Sequence, residues 1–120
     1  PEKTVMTRVR ISKTRLEEMV EEATVDCYND SEKVTGWFTM IEDNLAVPFD
    51  VVVLGVPVIV ERVDLTSADQ IIAICVRGRH RQSIRILDLP LPDSPPHGWE
   101  WIDAYRLWDT QTGTSQLRDA

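Results

Sequence analysis

Around one reversal of the chain, "GWFTMIEDNLAVPFDV" at residues 36–51, stand Glu42, Asp43, Asn44 and Asp50, four side chains that present oxygen acceptors within nine positions. Upstream, Asp26 and Asp30 punctuate a stretch whose apolar residues recur at helical spacing. Carboxylates, one amide and nearby carbonyls are an oxygen-only donor set. Such a set suits a hard cation: calcium takes six to eight oxygens in flexible geometry, whereas magnesium demands a tighter octahedron and retains water. Helix capping and pairing with arginine account for the same residue types, since Asp and Asn are favoured at helix ends.

Two helices must position these acids. Leu16, Met19, Val20, Ala23 and Cys27 repeat at helical spacing and predict a helix over residues 14–29, opened by a Thr14–Glu17 capping box. On a wheel of about 100 degrees per residue, Glu17, Glu18, Glu21 and Glu22 fall on the solvated side. Asp26 and Asp30 fall at the flank of the apolar stripe if the helix runs that far, where a carboxylate needs a donor, a cation or a raised pKa. Val34, Trp37, Phe38, Ile41 and Leu45 predict a second helix, with Glu42 at the border of its apolar face and Asp43 pointing outward. Gly36 inside it either weakens that helix by about 1 kcal/mol relative to Ala or lets two helices approach closely, and Pro48 disfavours helical geometry at Val47.

The period then changes. "FDVVVLG", "VPVIVERVDL", "QIIAICVRG" and "QSIRILDL" are β-branched runs separated by short turn sequences, too close together for helical crossovers. They predict antiparallel hairpins. The expected fold class is α+β, with two N-terminal helices packed on a small antiparallel SH3-like β-barrel and a short helix over 99–108 carrying Trp101, Ile102, Tyr105 and Trp108 on one side. Residues 1–11 and 109–120 are expected to be tails flanking one domain at 12–108.

Residues 25–49, "VDCYNDSEKVTGWFTMIEDNLAVPF", resemble the start of the cyanobacterial calcium-binding protein family linked to heterocyst differentiation. The pattern is Asp26 and Tyr28, the acids Asp30 and Glu32, the Gly36–Trp37 pair, then "EDNL" and "PF". The resemblance extends to about residue 90; the strands, the arginine-rich hairpin and the final tryptophan segment match less well. It implies an acidic, non-enzymatic domain that buffers or sequesters calcium, with a small barrel behind the helices. Carried over by position, it supports Asp26, Asp30, Glu32, Glu42, Asp43 and Asp50 as the metal-binding acids.

Composition bounds the alternatives. The 120 residues fit one domain, the 42% hydrophobic content supplies a core, and 28% charge is that of a soluble globule. No apolar run approaches the roughly 20 residues needed to cross a bilayer, and the first 30 residues lack a signal-peptide centre, which predicts a cytoplasmic protein. A net charge of −7 argues against nucleic acid and anionic membranes as partners. Cys27 and Cys75 form no disulfide framework and are expected as reduced thiols. There is no EF-hand spacing, no tetrahedral zinc set around Cys75 and His80, and no strand–elbow–helix context for Ser94, His97 and Asp103 as a hydrolase triad. Asp64 and Asp69 read as turn residues. Arg77, Arg79, His80, Arg81 and Arg85 gather on one hairpin, which would serve a metal-free protein- or nucleic-acid-interaction module, the competing reading.

Overall fold

The computed structural model describes residues 11–111. The expected N-terminal tail and most of the C-terminal one lie outside the described residues. Helix α1 spans Lys13–Thr24 and buries Leu16, Met19 and Ala23. Its cap is Ser12, whose hydroxyl accepts from the Arg15 amide at 3.0 Å, so Thr14 is already inside the helix and the Thr14–Glu17 box does not form. The helix also ends earlier than its periodicity suggests. Val25 turns extended and Asp26 adopts φ 60°, because Asn29 opens the next helix and competes for the intervening residues.

Helix α2, Asp30–Asn44, begins at a complete capping box. The Glu32 amide donates to Asn29 Oδ1 at 2.8 Å, and the Asn29 amide donates back to Glu32 Oε1 at 3.2 Å. Trp37 and Ile41 are its buried residues. Gly36 sits directly against α1: a Cβ built there would collide with the Ala23 carbonyl oxygen. The close helix approach expected from Gly36 is therefore present. Leu45 closes α2 by donating its amide to the Ile41 carbonyl, and the Val47–Pro48 peptide is cis.

Four strands follow: β1 Phe49–Val53, β2 Val56–Leu65, β3 Ile71–Arg77 and β4 His80–Arg85. They pair antiparallel in sequence order. Val51, Val60, Val63, Ala73 and Cys75 are buried on the inner face. The register shifts between Val60 and Arg62, leaving Glu61 as the extra residue of a bulge that bends β2. The sheet is open, which corrects the expected closed barrel. β1 has five residues and β4 six, and the chain leaves the sheet at Ile86 for a 3-10 turn, Ile86–Asp88, instead of pairing back to β1.

Helix α3, Glu100–Gln111, returns across the helical layer and runs three residues past the expected end. Its Trp101, Tyr105 and Trp108 surround Trp37 with ring centroids at 6.1, 5.8 and 5.8 Å. These rings pack the core, as their spacing suggests. Gly98, at φ 90°, lets the entry to α3 press against α2: a Cβ there would strike the Asn44 carbonyl oxygen.

Both Cys27 and Cys75 are free thiols, and burial pushes the Cys75 thiol up from its ordinary value. The folded protein keeps that proton where the unfolded chain has lost it, so stability falls as pH rises above about 9. Urea unfolding of Cys75→Ser should lack this decline. Gly36→Ala is expected to lower the unfolding free energy by about 2 kcal/mol, because the displaced neighbour is backbone and cannot repack by a rotamer change.

Candidate functional site

The six acids expected to bind metal occupy different places. Asp26 lies in the turn between α1 and α2, Asp30 is the first residue of α2, and Glu32 belongs to its capping box. Glu42 and Asp43 sit in the last turn of α2, and Asp50 is on β1 opposite Ile59. At 1.5 Å per residue, Glu42 stands about 18 Å along the helix from Asp30. One ion does not reach both ends. All six are exposed, and the carboxylates of Asp26, Asp30, Glu42, Asp43 and Asp50 make no hydrogen bond or ion pair among the described residues. Glu32 Oε1 is already engaged by the Tyr28 amide at 2.6 Å as well as by Asn29.

Among the described residues, no three His, Cys, Asp or Glu side chains are grouped so as to hold a metal ion. The topology nonetheless brings one of the six beside acids from elsewhere in the chain. A cavity of about 270 Å3 opens between the N-terminus of α2, the β2–β3 turn and α3, and its polar lining is Asp30, Ser31, Asp69, Gln70, Arg85 and Asp109. Ser31 Oγ donates to Asp69 Oδ1 at 3.2 Å and ties helix to turn. Asp109 is the buried acid among the described residues, 4% exposed. Tyr105 and Trp108 form part of the wall.

The β2–β3 turn is built by local hydrogen bonds, as its composition predicts. Thr66 Oγ1 accepts from the Ala68 and Gln70 amides at 3.2 and 3.1 Å, and Asp69 takes φ 61°. Asp64 lies apart from the cavity lining. The Leu65 amide and then Arg62 hold its carboxyl below the usual carboxylate range. Thus the turn reading holds for Asp69, which gains a second setting through tertiary contact, whereas Asp64 lies within β2 opposite Ile72. Asp109, at the start of the expected C-terminal tail, lies within α3, and no local signal marks it.

The arginine hairpin is largely committed to its own sheet. Arg81 Nη2 donates to both Glu61 carboxylate oxygens at 3.0 and 3.2 Å, Arg85 Nε to Asp88 at 3.0 Å, and Arg77 Nη1 to the Pro57 carbonyl at 3.1 Å. Arg79 and His80 remain exposed at the turn.

A helical layer against an open antiparallel sheet defines a small α+β domain. A family profile described as "Calcium binding", Calci_bind_CcbP, matches residues 17–109, and the chain belongs to that calcium-binding family. The crystal structure of Anabaena CcbP matches with a TM-score of 0.66 at 19% identity, covering 86% of this chain and 94% of that chain. At that identity the likeness establishes the shared fold. A comparison with curated proteins found no match. The family resemblance read from residues 25–49 is therefore borne out. The family is one of calcium-binding proteins. Among the described residues, no helix is long and apolar enough to cross a membrane.

Since Asn29 and Glu32 serve α2 itself, Asn29→Ala should cost about 1 kcal/mol in a urea titration. Glu42→Gln and Asp43→Asn should each stay within about 0.5 kcal/mol of the parent protein.

Proposed function

We propose that the protein buffers or sequesters calcium without catalysing a reaction, and that the oxygen-lined cavity is where the ion binds most tightly. The observation that carries this placement is the convergence of Asp30, Ser31, Asp69, Gln70 and Asp109, from three separate elements, on one cavity. Family membership supplies the identity of the ion. The donor chemistry fits, since every acceptor offered is oxygen. Asp30 and Asp69, both exposed, line the cavity, and its one guanidinium, Arg85, is drawn to Asp88, so a divalent cation would relieve the repulsion between those two acids.

The acids are not prearranged as a tight cage. Asp30 and Asp69 are exposed and able to converge by side-chain rotation, which fits calcium's flexible coordination better than magnesium's rigid octahedron. Asp26 and Glu32 stand near the same end of α2 and would strengthen the local field. Glu42, Asp43 and Asp50 would provide a separate, weaker and more salt-sensitive region; the negative end of the α2 dipole adds to Glu42 and Asp43 there. The bent sheet is read as an opened variant of the SH3-like barrel. Two free thiols suit a reducing compartment and support a cytoplasmic setting.

Calorimetric titration of calcium into chelator-treated protein tests the placement. The Asp30→Asn, Asp69→Asn double variant should lose about tenfold in affinity or more, because hydrogen bonds and contacts to charged ligands contribute roughly 1.5–3 kcal/mol each. Glu17→Gln with Glu21→Gln, on the exposed face of α1, should change affinity by less than about twofold. Calcium should also raise the melting temperature of the parent by linkage. Equal losses in both variants would replace the cavity by a diffuse acidic surface, and no binding up to millimolar calcium would remove the calcium reading altogether.

A further inference from the structure

In a four-stranded meander the β1–β2 and β3–β4 turns lie at the same end of the sheet, opposite the β2–β3 turn. Here that end brings together two unlike tips. Residues 51–60, "VVVLGVPVIV", contain no charged side chain. Leu54 at the first tip is 97% exposed and Val52 57%, while Val56 and Ile59 are also exposed. Beside it, the second tip carries Arg77, Arg79 and His80, and the Arg77 guanidinium binds the Pro57 carbonyl at 3.1 Å, fixing one tip against the other.

Single exposed leucines need no explanation, but this one stands where the backbone disfavours it. Leu54 and Gly55 both have positive φ, 51° and 79°, the conformation of a primed hairpin turn whose first position favours Asn, Asp or Gly. The chain keeps an aliphatic side chain at that position and projects it into solvent. Most of the net charge of −7 lies elsewhere: Glu17, Glu18, Glu21 and Glu22 are on α1 and Glu61 is paired with Arg81, which leaves Asp50, opposite Ile59, as the exposed acid of β1 on the side away from the tip.

We infer that this end of the sheet docks on an anionic lipid bilayer, with Leu54 and Val52 entering the headgroup region while Arg77 and Arg79 meet the lipid phosphates. An apolar wedge flanked by cations is the combination that peripheral attachment requires. Single-stranded nucleic acid fits less well, since residues 51–60 and 77–81 contain no Phe, Tyr or Trp and offer only the His80 ring for a base to stack on.

The full chain, in chelator and at low ionic strength, is floated with vesicles of phosphatidylcholine alone or mixed with phosphatidylglycerol. Working without calcium keeps the result independent of the calcium reading. Binding is expected only to the mixed vesicles. Arg79→Glu and, separately, Leu54→Asn should each weaken it about tenfold, the latter with an unchanged or raised melting temperature because Asn tolerates the turn. Absence of binding by the parent protein would overturn the inference. So would undiminished binding by Leu54→Asn, which would reduce the effect to diffuse charge, or binding to soluble polyglutamate without binding to vesicles, which would assign the surface to an acidic protein.

Discussion

The arrangement depends on burying one large ring. Trp37 is fully buried, and its Nε1 has no hydrogen-bond acceptor among the described residues, so ring packing has to offset the cost of removing that N–H from water. Trp101, Tyr105 and Trp108 supply that packing from α3, and Arg15 of α1 lies over the Trp101 ring at 5.9 Å. Gly36, the residue before the ring, lets α2 approach α1 without a Cβ in the way. The three helices are thus held by a single aromatic centre. The sheet then needs only one inner face to complete the core.

That constraint locates the cavity. Once α2 is fixed by Trp37 and started by the Asn29 box, Asp30 and Ser31 occupy its first turn, beside the β2–β3 turn to which Ser31 is hydrogen-bonded. Once α3 is fixed by Tyr105 and Trp108, Asp109 follows in its last turn. Apolar packing at neighbouring residues thus sets where these acids stand, and the Ser31–Asp69 hydrogen bond joins the helix to the turn. The rings, with the aliphatic residues of the core around them, hold these elements in place.

What was legible in the sequence was local. The four β-branched runs became the four strands, and the apolar spacing of α3 identified the rings that meet Trp37. The apolar period of α1 continues to Cys27, but the helix stops at Thr24 because the Asn29–Glu32 box opens α2 and turns the chain earlier. Closure of the sheet was not legible, since alternation reveals a strand's faces but not whether its edges find each other. The cavity lining was only partly accessible to sequence reasoning. Ser31 and Asp69 are 38 positions apart, and turn chemistry explained Asp69 locally without revealing its tertiary neighbour.

The question raised by Glu42, Asp43, Asn44 and Asp50 receives a different answer from the one their proximity suggests. Asn44 donates its side-chain amide to the Met40 carbonyl at 2.8 Å and so serves the end of α2. Leu45 and Ala46 give their amides to Ile41 and His97, which ties the reversal to the loop entering α3. The polar residues of the reversal thus split into one that secures the helix end and acids left in solvent, where water and salt screen them. Asp30, also exposed, differs in its neighbours: it lines a cavity together with Asp69 of the β2–β3 turn and Asp109 of α3. Both ends of α2 therefore carry acids, but only its N-terminal end meets the β2–β3 turn and α3 around the cavity.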